Sequence, residues 1–325
     1  MKKTILILLI GLTTTTFADN LITKRVDSHA PISIMNDHNH TKSEIMTSYR
    51  LMTMTMDGNI QGNNDITMTD ITNTNYMMAP QSMTMTMHMI GIMYGLTKQT
   101  TLMAMSSYQE KDMTMINKMN QSSNSRTTGL SDLKLSALQT ISKTDKQSWI
   151  AHIGLSLPIG SIDETDDNNR LAYPMQLGSG TVDVVLGTTY TKFIKSFSLG
   201  SQISNIIRTG KNKHQYRLGH SFSVITWLAK PITNNWSISL RLTRLSNEDI
   251  NGSDSSLNTM MSPTTSTNTG NVIYTTGIGS NIKFSKQYLK GARLAIELTK
   301  PISQNVNGIQ MKNKYSYTIG YQQAF

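Results

Sequence analysis

Two short stretches carry the side chains best suited to chemistry. Met52-Thr53-Met54-Thr55-Met56 and Met83-Thr84-Met85-Thr86-Met87-His88-Met89 set a thioether at every second position. A row of thioethers can coordinate a soft ion such as Cu(I), or present a polarisable apolar track to an aromatic solute. Of the 23 methionines, 17 fall between Met46 and Met119, so the pattern belongs to less than a quarter of the chain. Period two puts all the methionines of a ladder on one face of a strand, with the threonines and His88 on the other. The polarity of His88 predicts that it meets water and that Met83, Met85, Met87 and Met89 meet lipid. Arg50 shares parity with Met52, Met54 and Met56 and argues for the reverse on the first ladder.

No other constellation competes. The chain has no Cys, which excludes disulfides, thiolate nucleophiles and cysteine metal sites. It has no Gly-x-Ser-x-Gly elbow, no His-Glu-x-x-His and no phosphate loop, and neither His152 nor His220 lies in a recognisable nucleophile context. The expectation is a protein that is not an enzyme and needs no cofactor. His29, His38 and His40 form a weak metal signal in a polar stretch, and the acidic cluster Asp163, Glu164, Asp166 and Asp167 lacks the spacing of a calcium loop.

Period-two segments must position these residues. Twelve recur, at 45–56, 81–94, 100–110, 130–142, 148–158, 181–191, 196–209, 215–229, 235–246, 271–284, 291–300 and 312–325. In three of them one face is apolar: Trp149 to Leu157, Trp236 to Leu242 and Ala292 to Leu298. The opposite faces carry His152, Arg241, Arg293 and Glu297. Charged faces need water and apolar faces need lipid, which is the division of a barrel wall. Trp149, Trp236, Tyr94, Tyr108, Tyr190 and Tyr274 suit the interfacial girdles. Long connections (57–80, 111–129, 159–180, 247–270, 301–311) alternate with short ones (95–99, 143–147, 192–195, 230–234, 285–290), and only 210–214 breaks the rule. The fold class is therefore all-β, a transmembrane antiparallel β-barrel of about 12 strands (range roughly 10–14).

The ends agree. Residues 1–18 pair Lys2 and Lys3 with a short apolar run and small residues at Thr16 and Ala18, a signal peptide cleaved near Ala18 that directs the chain to the outer membrane of a Gram-negative bacterium. Residues 19–44 read as a flexible periplasmic arm and 45–325 as the barrel. The final strand ends on Phe325, a form that outer-membrane assembly machinery can read by strand addition. The expected partners are outer-membrane lipid and lipopolysaccharide, that machinery and a small solute. The formal charge of +10 is scattered, and no nucleic-acid partner is expected.

Several stretches resemble a known family. They are Tyr49 to Asn59, Met78-Ala79-Pro80 followed by Met83 to Met89, Thr128 to Leu133, Leu157 to Ser161, and Tyr173 to Asp183. These are similar to bacterial outer-membrane proteins of the meta-pathway phenol-degradation transporter-like family. The resemblance implies passage of small aromatic or hydrophobic compounds. Relatives often carry an acidic residue where this chain has Thr53, Thr55, Thr84 and Thr86, so a cation-binding role is not carried over. Candidate lumen or mouth residues are Asp132, Lys134, His152, Asp183, Arg241, Arg293, Glu297 and His88. Met52, Met54, Met56, Met83, Met85, Met87 and Met89 are candidates for an apolar track or a soft-metal path. Two further readings stand beside the channel: a structural or adhesive barrel acting through external loops, and a copper-handling barrel.

Overall fold

The structure, a computed structural model, describes residues 25–285, 289 and 291–325; the signal-peptide segment 1–18 lies outside them. Eleven antiparallel strands close into a ring: β1 (Ile45–Gly62), β2 (Met78–Gly95), β3 (Thr100–Asn117), β5 (Leu133–Thr144), β6 (Gln147–Leu157), β7 (Asp183–Ile194), β8 (Phe197–Arg208), β9 (Ser221–Pro231), β10 (Trp236–Asn247), β11 (Asn271–Lys283) and β12 (Arg293–Ala324). An additional strand, β4 (Ser122–Leu130), pairs with the upper part of β3, above the part that pairs with β5. The stretch 111–129, expected as a loop, is thus a hairpin: β3 runs on to Asn117 and the chain returns along it from Ser122.

β12 is 32 residues long and cannot be one stave, since a straight strand of that length would span roughly 100 Å. Its first part pairs with β11 and its second with β1. Thr299 and Ser316 hydrogen-bond across the run, as do Gln304 and Asn313. The run doubles back near Gly308, whose φ of +57° is one that L side chains rarely adopt. The wall therefore has the twelve staves that periodicity predicts. The seam joins the ends of the chain, with Met46 opposite Ala324, and the Phe325 N–H donates to the Ile45 carbonyl at 2.8 Å. Among the described residues no helix is long and apolar enough to cross a membrane, and strands form the wall.

Burial alternates along the staves. Trp149, Ile153 and Leu155 point outward and are exposed, as are Ile238, Leu240 and Leu242 and, on β12, Leu294, Ile296 and Leu298. Tyr94, Tyr108, Tyr190 and Tyr274 lie on the same outer surface. An apolar exterior is stable only against lipid, whereas the inward residues are covered by protein. Glycine on the inner face makes room for bulk: a Cβ on Gly200 would sit 2.0 Å from the Trp227 ring, so only glycine lets that indole lie inside.

What fills one end of the lumen is the segment expected to be a flexible arm. Residues 25–44 fold up into the barrel at the short-turn rim. Ala30 and Ile34 pack on Trp227 and Ala229. Backbone carbonyls supply most of the anchoring. Arg50 Nε donates to Ile32 O at 2.9 Å, Arg293 Nη1 to Val26 O at 3.1 Å, and Gln202 Nε2 to Met35 O at 2.6 Å. Glu297, only 1 % exposed, accepts from Arg241 Nε at 2.6 Å and from the Ser33 N–H at 3.2 Å. A polar segment without period two is stable here because the buried wall charges Arg50, Arg293 and Glu297 meet plug dipoles.

Replacing Glu297 with Ala strands the Arg241 guanidinium in the lumen, at a cost of about 3–5 kcal/mol. In a Trp149→Phe, Trp236→Phe background, Trp227 emission reports the plug alone. Urea titration of Glu297→Ala is expected to red-shift Trp227 at a lower midpoint than the loss of barrel mobility on a gel. Coincident midpoints equal to those of the parent would refute the latch.

Candidate functional site

The lumen above the plug is organised by three neighbouring strands. Cross-strand register sets Met56 opposite Met83, Met54 opposite Met85 and Met52 opposite Met87 between β1 and β2. Between β2 and β3, Met83 faces Met113 and Met93 faces Met103. On β2 the odd-numbered residues are the inward set. Met83, Gly91, Met93 and Gly95 are buried, while Ile90, Ile92 and Tyr94 are exposed to the outside. The methionines therefore form one continuous inner wall, and Thr84, Thr86 and His88 lie outside. This reverses the expected faces of the second ladder. His88 satisfies its polarity on the outer surface by sharing a 2.8 Å hydrogen bond with the Tyr49 hydroxyl.

The methionine wall has three zones. At the long-loop rim Met83, Met113 and Met115 pack with Leu171 and Met175 of the loop between β6 and β7. At the short-turn rim Met46, Met93 and Met103 pack with Met35 of the plug. Between them Met85, Met87, Met89 and Met105 face a chamber of about 430 Å³, which Asp132, Lys134 and Arg208 also line. An outer chamber of about 370 Å³ lies above it, lined by Met56, Met83, Met113 and Met311. The two meet at Tyr173, Pro174, Arg208 and Leu218, which line both.

That constriction is built by the loop between β6 and β7. Lys111 Nζ, on the inner face of β3, donates to Pro174 O at 2.8 Å and to Gln176 O at 2.5 Å. Asp132 accepts from the Gly160 and Ser179 N–H groups at 3.1 and 2.9 Å, and from Ser179 Oγ at 2.8 Å. Asp183 accepts from Arg208 Nη1 and Thr181 Oγ1, at 2.5 and 2.7 Å. Tyr173 stacks edge-on against Tyr216, and its hydroxyl accepts from Asp254 N at 3.0 Å. Burial pushes the Tyr216 phenol up to about 12 and raises that of Tyr173 as well. Both phenols are neutral across the physiological range. Asp163 holds the rim of the same loop through Arg170, Lys213 and His214, and these partners, Lys213 foremost, hold its carboxyl well below the ordinary carboxylate range.

Of the residues singled out from sequence, Asp132, Lys134, His152, Asp183, Arg241, Arg293 and Glu297 all lie on the inner face, as do the seven ladder methionines; His88 alone does not. They do not form one site. Arg241, Arg293 and Glu297 anchor the plug, Asp132 and Asp183 anchor the constriction loop, and Lys134 looks into the middle chamber. His152 is buried with neither ring nitrogen bonded. Lys111, Arg208 and Tyr173 were missed. Lys111 shares parity with Met113 and Met115, which is the signal that finds it; Tyr173 sits in a loop, where no periodicity speaks.

The family model described as "Putative MetA-pathway of phenol degradation" matches residues 62–288. The COG4313 outer membrane channel from Pseudomonas putida F1 superposes with a TM-score of 0.62 at 14% identity, covering 89% of this chain and 98% of that one. The translocator domain of autotransporter NalP from Neisseria meningitidis gives 0.47 at 10% identity, over 88% and 90%. A Pseudomonas aeruginosa FadL homologue gives 0.43 at 8%, over 86% and 90%. The first of these shows the fold. No curated protein matches the sequence.

Lys111→Met keeps the length of the side chain and the apolar wall but removes two charge-assisted hydrogen bonds, each worth about 1.5–3 kcal/mol. The Tyr173–Gln176 segment is expected to leave its seat, giving a larger and noisier single-channel conductance than the parent in planar bilayers. An unchanged conductance would mean that this loop does not set the constriction.

Proposed function

The chain belongs to the family described as putative MetA-pathway of phenol degradation, and from that membership we propose that it is an outer-membrane channel for small solutes with an aromatic body and a polar head. The observation that carries the reading is the middle chamber. Thioethers line one stretch of it, and the adjoining staves bring Asp132, Lys134 and Arg208 to the same space, Lys134 as the cross-strand partner of Met105. A phenol-like molecule has the matching two-sidedness. Each sulfur–aromatic contact is worth roughly 0.3–1.5 kcal/mol, enough to draw the ring onto the wall and too little to trap it. Chambers of about 370 and 430 Å³ suit a solute of one ring. Nothing in the chain supplies energy, so movement follows the concentration gradient.

In this reading the long loops face outward and the short-turn rim, with the plug, faces the periplasm. Entry passes Tyr173 and Pro174, and exit requires the plug to yield around Ile32 and Ser33. Lipid and lipopolysaccharide contact the apolar exterior. The strand ending at Phe325, which is exposed and paired with β1, is the element for assembly machinery to read. The inward thioethers also favour a second reading, in which Met52, Met54, Met56, Met83, Met85, Met87 and Met89 pass Cu(I) from site to site.

Proteoliposomes separate these readings. The channel reading expects faster entry of an uncharged single-ring phenol than of a sugar of similar volume. Met85→Asp with Met87→Asp is expected to slow phenol entry by about tenfold, corresponding to roughly 1.4 kcal/mol, while leaving small-ion conductance intact. Equal slowing of phenol and sugar, or no entry of either into liposomes carrying folded barrel, would overturn it. Stoichiometric Cu(I) uptake abolished by the same pair of substitutions would favour the second reading.

A further inference from the structure

The plug carries three histidines and two carboxylates to which solute passage gives no task. One ligand-type atom from each of His29, Asp37 and His38 lies within 4.8 Å of the other two. Ring centroids of His29 and His38 are 3.9 Å apart, and those of His38 and His40 are 4.9 Å apart. Three imidazoles on one tetrahedral ion hold their centroids roughly 5 Å apart, so the His38–His40 pair is already at that spacing and the His29–His38 pair must open by about 1 Å.

Two of the rings are already turned as metal ligands are. His38 Nδ1 lies 2.7 Å from Asp37 Oδ1, and His40 Nδ1 lies 3.3 Å from Glu44 Oε1. A carboxylate on Nδ1 fixes the tautomer and leaves the Nε2 lone pair bare, which is how outer-shell carboxylates orient histidine ligands. Nε2 of His38 and Nε2 of His40 are both buried without a hydrogen-bond partner, and so is Nδ1 of His29. Three unsatisfied imidazole nitrogens within one segment is an uncommon concentration, since buried polar atoms are nearly always paired. His29, His38 and His40 border a cavity of about 650 Å³ at the short-turn rim, wide enough for a hydrated ion to enter. Arg293 is the nearby cation with the largest effect on His29, and its guanidinium is engaged by Val26 O, Arg25 O and Ser28 Oγ.

We propose that His29, His38 and His40, with Asp37 and Glu44 as outer carboxylates on His38 and His40, bind one divalent transition-metal ion of the class that prefers imidazole, such as Zn²⁺, Ni²⁺ or Cu²⁺. The arc between His29 and His38 carries Ile32 and Ser33, the residues that Arg50 and Glu297 hold. An ion bridging the ends of that arc closes it into a loop and stiffens the plug where it meets the wall. The ligand set is nitrogen-rich and distinct from the thioether wall, so it selects borderline ions rather than Cu(I).

The test uses tag-free, chelator-washed full barrel in detergent, titrated calorimetrically with ZnCl₂ and separately with NiCl₂. One equivalent per chain is expected. His38→Gln with His40→Gln is expected to weaken binding by at least about tenfold, whereas His88→Gln, on the outer surface, leaves it unchanged. Heat-modifiable gel mobility certifies that each variant is a folded barrel, and His29→Gln alone provides a second, milder variant. Co²⁺ is the independent probe, since a tetrahedral imidazole site gives visible absorption that the double variant must lose. Absence of saturable binding below about 100 μM, or stoichiometric binding undiminished by the histidine substitutions, overturns the proposal.

Discussion

Glu297 is the contact on which the interior depends. A carboxylate that is 1 % exposed has to be matched, and it is matched twice, by the Arg241 guanidinium and by Ser33 of the plug. Both halves are required. Without the plug, Glu297 and Arg241 would be a wall pair facing an open pore; without the pair, the plug would lose its mooring at Ser33. The other wall cations, Arg50 and Arg293, use backbone carbonyls of the same segment. The charges that usually give a porin its lumenal field here serve as mooring points, and the passage is defined by the space they leave.

Methionine suits a lumen that must satisfy three different neighbours. At one rim it is packed against Leu171 and Met175, at the other against Met35, and between them it borders empty space. A β-branched residue would pack well in only one of these settings. An unbranched thioether adapts to all three, and the same ladder can run the height of the wall without a change of residue type. The threonines between the methionines then occupy the outer surface, where β-branching favours the strand.

Much of this architecture was legible in the sequence. Period two reports which residues share a face, and loop lengths report which rim a connection belongs to; Trp149 to Leu157 and Trp236 to Leu242 are read directly. Three features escaped for physical reasons. His88 was assigned by polarity, yet a polar side chain can lie on the outer surface when a neighbouring hydroxyl, here Tyr49, takes its hydrogen bond. Arg50 had the correct parity all along, because a guanidinium has fewer ways than an imidazole to be satisfied outside. The plug escaped because it is held by carbonyls, such as Ile32 O and Met35 O, and every residue type has one. No side-chain pattern can announce an anchor made by the backbone. The constriction loop was hidden in the same way, with Lys111 binding the carbonyls of Pro174 and Gln176.

The seam between β1 and the second arm of β12 has a kinetic side. It joins Met46 to Ala324, nearly the full length of the barrel sequence. The entropy of bringing such distant partners together grows only logarithmically with chain length, so the equilibrium cost is modest. Rates are another matter, because long-range β pairing is slow. Until the seam zips, the first and last staves are bare edges, and the open sheet offers unpaired N–H and C=O groups to any strand it meets. A barrel closed by its own termini is therefore most prone to aggregate just before it is complete, and whatever shelters those two edges governs its yield.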